Sequence, residues 1–519
     1  MATPSEKRAQ SLEALHALKD RSIVAIRSAD LTRTHRERLL KGGFLQEVMR
    51  GWYIPSRPDE IAGESTAWYA SYWAFCAAYL KERFGEGWSL APEQSLLLHA
   101  GNWTVPRQLL VRVEKNARNN VTNLPHGTSL LDVQASVPEE TDVAVVEGLR
   151  LFTLPAALVA CSARFYAQNP TDARAALGMM RDASDILPRL LEGGHSTIAG
   201  RLAGAFRNIG RAGIADETVA TMRAAGYDVR ENDPFEAPAP VLLGARETSP
   251  YVNRIRLTWQ AMREPVIARF PKAPGLPHDI QPYLKRVEDV YVNDAYHSLS
   301  IEGYRVNREL IERVRAGNWD PDVDEDDRNQ RNALAARGYW QAFQAVRESV
   351  QKVLAGGNAG AVAEDAHRIW YRELFGPSVT AGLLRPADLA GYRNDQVYIR
   401  RSMHVPPNRE AVRDLMPALF ELLREEAEPA VRVVLGHFVF VYIHPYMDGN
   451  GRMGRFLMNL MLASGGYPWT VIPVEARNVY MAGLEEASVG QNIAPFADLL
   501  ARLVESGLKG EPAPRVSGD

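Results

Sequence analysis

The stretch HPYMDGNGRMGR, His444 to Arg455, directly follows an apolar run from Val433 to Ile443 and holds one histidine, one carboxylate, three glycines and two arginines. Beyond Asn450 the run GRMGRFLMNLMLAS has helical spacing, with Met453, Phe456, Leu457, Leu460 and Met461 on one face and Arg452 and Arg455 on another. DGNG is therefore a loop feeding a helix N-terminus. The first-turn backbone N–H groups there lack partners, the helix dipole is positive, and glycines let an anion come close. Two arginines add bidentate donors for phosphate oxygens. Asp448, at the mouth, suits a Mg²⁺ that bridges phosphates. The assembly predicts a triphosphate site.

His444 is not needed for that binding. A neutral imidazole is the usual general base for a hydroxyl proton, so the chemistry expected is attack by a hydroxyl on bound phosphorus, with His444 taking the proton. An isolated histidine is more often a core residue, which is the reading given to His437; at His444 the whole constellation argues otherwise. Gly449, Gly451 and Gly454 also match the dinucleotide fingerprint G-x-G-x-x-G, with Glu475 downstream. That reading is set aside. HPYMD separates the glycines from the preceding run, no series of strand and helix alternations flanks them, and His444, Asp448, Arg452 and Arg455 stay unexplained.

HPYMDGNGRMGR resembles the signature of the Fic family, HxFx(D/E)GNGRxxR, at every position except Tyr446, which replaces the usual phenylalanine. The resemblance implies a protein adenylyltransferase that moves AMP from ATP to a Ser, Thr or Tyr hydroxyl of a target protein, or of itself, and releases pyrophosphate. It implies His444 as base, Asp448 as Mg²⁺ ligand and Asn450 as a phosphate contact. Gly449, Gly451 and Arg452 would surround the α- and β-phosphates and Arg455 the γ-phosphate. In ALAGYRNDQVYIRRSMHVPP, Val397, Tyr398 and Ile399 form a short β-like strip that is similar to the Fic flap, a hairpin aligning the target by strand pairing. Val397, Tyr398, Ile399 and Arg400 would then line the cleft, and Tyr480 and Met481 the adenine end.

SLSIEG, Ser298 to Gly303, matches the family's inhibitory motif (S/T)xxxE(G/N). Ser298 and Glu302 are one turn apart on one helix face, and Gly303 suits the C-terminal cap. A carboxylate in a last turn gains from a cationic partner. The resemblance makes that partner Arg455, withdrawn from the γ-phosphate, and so implies autoinhibition by Glu302. It also leaves open removal of AMP by the same site, and a nucleotide donor other than ATP.

Working outward, the 519-residue chain has ordinary soluble composition, 46% hydrophobic and 24% charged with net charge −3, so bulk electrostatics name no partner. MATPSEKRAQ lacks an apolar leader and the longest apolar run is too short for a bilayer, so a cytoplasmic protein with no membrane partner is expected. Cys76 and Cys161 read as buried small hydrophobes. The expected organisation is a multidomain chain. A winged helix-turn-helix (1–58) and a mixed α/β module (59–235) come first. A Pro-rich linker (236–252), a mainly α Fic domain with a β-hairpin flap (253–505) and a disordered tail (506–519) follow.

The first unit rests on SLEALHALKD, IVAI, TRTHRERLLKGGFL and the hairpin-like VMRGWYIP. LLKGGFLQEVMRGWYIP resembles the winged helix of the type IV abortive-infection antitoxins. Residues 1–60 carry eleven Lys or Arg against eight Asp or Glu, and Arg33, Arg36, Arg38, Lys41 and Arg50 are the candidate DNA contacts. A DNA-binding regulator whose Fic domain senses nucleotide is therefore the rival from another class, and a second copy of the chain is a further candidate partner. The acidic run Asp320 to Asp327 lacks the glycine and glutamate of a calcium loop and reads as solvated.

Overall fold

The computed structural model describes residues 3–58, 65–117, 119–241, 243, 249–317 and 331–516. It is mostly helical, with three small sheets among the described residues. The chain divides into two compact units. One comprises Met1–Arg254 with Tyr398–Val405, the other Ile255–Val397 with Pro406–Asp519. The acidic run at 320–327 lies outside the described residues, as does most of 242–248 within the expected linker.

In the first unit, Thr3 and Glu6 form a reciprocal capping box that starts the Pro4–Asp20 helix. Strand β1 (Ile26–Arg27), the Arg33–Lys41 helix, and the hairpin β2 (Leu45–Met49) and β3 (Trp52–Pro55) follow, in an antiparallel sheet ordered β1-β3-β2. Leu18, Ile26, Leu31, Leu39, Leu45 and Tyr53 form its core. Three of the five cations named for DNA are engaged locally. Arg33 pairs with Glu37 at 2.7 Å, Arg36 donates to the Ser28 carbonyl at 2.9 Å over the Tyr53 ring, and Arg38 reaches the Lys7 carbonyl. Lys41 and Arg50 are exposed.

The Thr66–Phe84 helix buries Trp68, Tyr72, Phe75, Cys76 and Leu80. It belongs to one aromatic core with β4 (Trp88–Leu90), β5 (Gln108–Val113), β6 (Val121–Asn123) and β7 (Ser129–Gln134), ordered β4-β5-β7-β6. In β5 alternate residues Leu109, Val111 and Val113 are buried, the period-2 pattern of a strand with one covered face. A second hairpin, β8 (Val143–Val146) and β9 (Leu149–Phe152), precedes helices up to Ala224. Both cysteines are buried and free, and burial pushes the Cys161 thiol up to about 11.

The expected flap differs. Val397, Tyr398 and Ile399 are in no strand, and Tyr398–Val405 belongs to the first unit. The segment's backbone finds other partners. Val105 N–H donates to the Met403 carbonyl at 2.9 Å, Arg401 N–H donates to Thr66 Oγ1 at 3.2 Å, and Met403 and Val405 pack on the aromatic core. A positive φ of 60° at Arg401 turns the chain where a hairpin strand would continue.

The second unit contains the helices Gln281–Ile301, Arg331–Leu354, Ala359–Thr380, Arg409–Glu425, Pro429–Ile443, Asn450–Ser464, Arg477–Val489 and Ala494–Leu508. Pro429–Ile443 is apolar on all sides and almost wholly buried, as a central helix must be. The expected tail also differs. Residues 506–508 complete the last helix, the Pro514 carbonyl lies 3.3 Å from His297 Nε2, and Val516 is 3% exposed. The Val516 side chain and the Pro514 carbonyl hold this segment; residues 517–519 lie outside the description.

Candidate active site

The Pro429–Ile443 helix ends at His444, which sits in the left-handed region (φ 53°, ψ 60°), and Asn450–Ser464 begins after Gly449 at φ 81°. A left-handed histidine costs roughly 1–3 kcal/mol, and such conformations concentrate at functional positions. A Cβ at Gly449 would stand 2.7 Å from the Phe375 ring, so both space and φ require glycine. Asn450 closes the turn: its Oδ1 accepts from Tyr446 N–H at 2.9 Å and its Nδ2 donates to the Tyr446 carbonyl at 2.8 Å. These two bonds and 2% exposure make the Asn450 side chain a staple of the loop.

Tyr446 stacks on Tyr371, with ring centroids 3.8 Å apart, and is 1% exposed. Its hydroxyl, the atom phenylalanine would lack, has no hydrogen-bond partner among the described residues. Arg393 fastens the turn from outside. Its Nε donates to the His444 carbonyl at 2.8 Å, its backbone N–H to the Pro445 carbonyl at 2.9 Å, and its other guanidinium nitrogens to the carbonyls of Asp395 and Pro407.

His444 is half-buried, and Nδ1 lies 3.2 Å from the Val441 carbonyl. A neutral ring must donate there from Nδ1–H, which leaves the Nε2 lone pair free to accept a proton. Burial, with Arg393 nearby, lowers the His444 pKa to about 4, so the ring is neutral at physiological pH. His437 is the contrasting case. It is fully buried, accepts from the Tyr480 hydroxyl at Nε2 (2.8 Å), and burial lowers its pKa to about 3.

Arg455 is held by the motif upstream. Its Nε donates to Ser298 Oγ at 2.8 Å, and Nη2 donates to the Ser298 carbonyl at 3.0 Å and to Glu302 Oε1 at 2.7 Å. Gly303, at φ 84°, ends the Gln281–Ile301 helix, with Tyr304 N–H returning to the Leu299 carbonyl. Arg477 Nε donates to the Ile301 carbonyl and adds positive charge at that helix C-terminus. Burial pushes the Glu302 carboxyl up, and Arg455 and Arg452 outweigh it, leaving it ionised below the usual range. Burial pulls Arg455 down, but Glu302 beside it raises it above its ordinary value. A Cβ at Gly451 would overlap Glu302 Oε1, so this carboxylate lies against the first turn of Asn450–Ser464, where an anion binds a helix N-terminus.

Arg452 is 1% exposed and lies between the rings of Tyr304 and Phe375, at 5.2 and 5.0 Å, with Nη2 3.7 Å from Asp448 Oδ2. Asp448 is exposed, and its Oδ1 accepts from Gly449 N–H at 2.6 Å. Among the expected site residues, Ser298, Glu302, His444, Asp448, Gly449, Gly451, Arg452 and Arg455 belong to this cluster. Tyr480 points its hydroxyl at core His437 and lies beside Arg455, and Met481 is half-buried on the same helix. Val397 is 8% exposed, and Tyr398, Ile399 and Arg400 belong to the first unit.

Three participants carried no local sequence signal: Arg393, and the Tyr304 and Phe375 rings around Arg452. A fourth had one. Asp294 precedes Ser298 by four residues and Glu302 by eight, on one helix face. It is buried and accepts from the Tyr339 hydroxyl at 2.7 Å, and burial raises its carboxyl to about 6.

Residues 363–462 match the model of the Fic/DOC family. The chain carries a Fic domain. It is 29% identical over 255 residues to Protein adenylyltransferase Fic of Nematostella vectensis, covering 47% of this chain and 54% of that protein. It is 30% identical over 241 residues to the protein of that name from Drosophila yakuba (44% of each), and 33% over 128 residues to Protein adenylyltransferase fic-1 of Caenorhabditis elegans (24% of this chain, 25% of that protein). The chain thus spans about half or less of these relatives. A fragment of Fic-1 from C. elegans has 20% identity and a TM-score of 0.37, covering 66% of this chain and 96% of its own. A Fic domain-containing signaling protein from Bacteroides thetaiotaomicron has 18% identity and a TM-score of 0.35, covering 51% and 99%.

Proposed function

We propose that the Fic domain is a protein adenylyltransferase held off by Glu302. The observation that carries this reading is a neutral His444 with Nε2 free, on the same turn as a helix N-terminus whose anion position is filled by the chain's own carboxylate. A target hydroxyl attacks the α-phosphorus of ATP and its proton passes to Nε2. The new O–P bond forms as the bond from that phosphorus to the β-phosphate oxygen breaks, and pyrophosphate leaves with the electron pair. The free first-turn N–H groups of Asn450–Ser464 and Arg452 bind the phosphates, and Arg455 joins them when Glu302 lets it go.

Among the described residues no group of three or more His, Cys, Asp or Glu could hold a metal. That suits Mg²⁺ arriving with the nucleotide, since Mg²⁺ takes one or two carboxylates and draws its other ligands from phosphates and water. Asp448, 66% exposed at its side chain, is the residue that would hold it. When bound, the ion neutralises charge developing on the phosphates. Transfer of label from α-labelled ATP to protein, absent with γ-labelled ATP and absent in His444→Ala, tests the reading.

The position of Glu302 also favours a second activity at this site. Only Oε1 is bonded to Arg455 and the side chain is 26% exposed, so Oε2 can orient a water toward an AMP–protein phosphodiester. A modified target would then lose AMP with the wild type and keep it with Glu302→Gly.

A further inference from the structure

Beyond Asp448 and Arg452, the second unit holds a cavity of about 890 Å³ whose remaining lining has no task in this reaction. Asp448 and Arg452 form one wall, and the cavity runs between the Ala359–Thr380 helix and residues 383–395. Six arginines line it against three aspartates. Arg385 is neutralised by Asp388 at 2.9 Å, and Arg393 is bonded to backbone carbonyls. Arg331, Arg368 and Arg413 form no direct ion pair with a carboxylate among the described residues, Glu410 lying near Arg413 without bonding it. Arg331 and Arg368 lie over Tyr304 and Tyr392, at 5.3 and 5.2 Å, and Arg413 reaches only the Arg409 carbonyl and the Asn394 side chain.

Aromatic faces fix a guanidinium in place without cancelling its charge. Deeper in, Arg452 Nε is buried and has no partner among the described residues. The wall also carries Leu383 and Met447, 59% and 53% exposed. A bare phosphate makes no use of such apolar surface, whereas a peptide does.

We infer that this cavity seats an acidic segment of the protein being modified, the residues flanking the hydroxyl presented to His444. The inference rests on the adenylyl-transfer reading and adds a substrate class to it. Side-chain carboxylates meet the forks of Arg331, Arg368 and Arg413, and an apolar residue covers Leu383 and Met447. A basic segment is refused by the same charges.

The test uses the full chain carrying Glu302→Gly and two fluorescein-labelled peptides with a central threonine, one flanked by glutamates and the other by glutamines. Fluorescence anisotropy without nucleotide reads docking apart from catalysis. The acidic peptide should bind at least tenfold more tightly than the neutral one, with a preference that shrinks as NaCl is raised. The double variant R368E/R413E should abolish that preference and, with unchanged thermal unfolding, favour a lysine-flanked peptide. Equal binding of acidic and neutral peptides, or a preference that survives charge reversal, overturns the inference. Displacement of both peptides alike by inorganic pyrophosphate also overturns it, making the cavity a phosphate site. If acidic binding and its reversal hold while no AMP is transferred to any peptide, the docking site stands and the adenylyl-transfer reading fails.

Discussion

Arg455 Nη2 lies 2.7 Å from Glu302 Oε1, and the same guanidinium is held at 2.8 Å by Ser298 Oγ one helical turn earlier. The last arginine of the loop is thus held by the helix upstream through Nε and Nη2, while Nη1 has no partner among the described residues, and a nucleotide would compete for the held side. Glu302→Gly removes both the grip and the carboxylate at Gly451. AMP incorporation should rise by at least tenfold in initial rate, while Glu302→Gln, which keeps an acceptor without the charge, gives an intermediate rise.

Ser298→Ala deletes an acceptor from a buried charged donor, a bond of roughly 1.5–3 kcal/mol. The variant should unfold at a lower temperature and transfer AMP several-fold faster than wild type, yet more slowly than Glu302→Gly. A rate no higher than wild type would show that Ser298 does not contribute to restraint.

Burial lowers the His444 pKa to about 4, below its ordinary value of about 6.5. The folded protein therefore binds fewer protons than the unfolded chain between these values, and the contribution of His444 to stability is full above about 6.5 and is lost as pH falls toward 4. For catalysis, kcat/KM of Glu302→Gly should be flat from pH 6 to 8 as far as this group is concerned, with its acid limb well below 6. An inflection near 6.5 that vanishes with His444 would refute the burial argument.

Asp294 has the opposite sign. Burial raises its carboxyl to about 6, so the folded state takes up a proton that the unfolded chain gives up nearer 4. Its contribution is full below about 4 and is lost as pH rises through 6. Asp294→Asn should flatten the stability profile across pH 4 to 6, measured by denaturant unfolding at each pH.

Tyr446→Phe removes a buried hydroxyl with no partner among the described residues and keeps the stack on Tyr371. Unfolding should be unchanged or shifted up by about 1 kcal/mol, with activity retained. Arg393→Lys should behave differently, because an ammonium cannot span the carbonyls that the planar fork joins around His444. A fall in kcat of ten- to a hundredfold with little change in nucleotide affinity is the expected result.

Legibility from sequence followed the range of each interaction. The helix after DGNG and the cap at Gly303 depend on local spacing and backbone geometry, and these could be read directly. The Arg455 partner in SLSIEG came with the family resemblance, since 153 residues separate Glu302 from Arg455. Arg393 was invisible because its partners are backbone carbonyls, which any residue provides. The structural task of Asn450 was hidden for a related reason: an amide suits a phosphate and a main-chain turn equally, and only the fold shows its two bonds to Tyr446. The Val397–Ile399 strip has strand-like residues, yet it lies in no strand, and the segment after it bonds at Arg401 and Met403 to Thr66 and Val105, far off in sequence, so alternation alone misled.

On the proposed reading, His444 drives AMP transfer when Glu302 is gone. Intact-mass analysis of the full chain incubated with ATP and Mg²⁺ tests it most directly. Glu302→Gly should gain the mass of one or more AMP groups, wild type little or none, and the double variant Glu302→Gly/His444→Ala none. An adduct that persists in the double variant, or its absence from Glu302→Gly and from every added protein, would contradict the account.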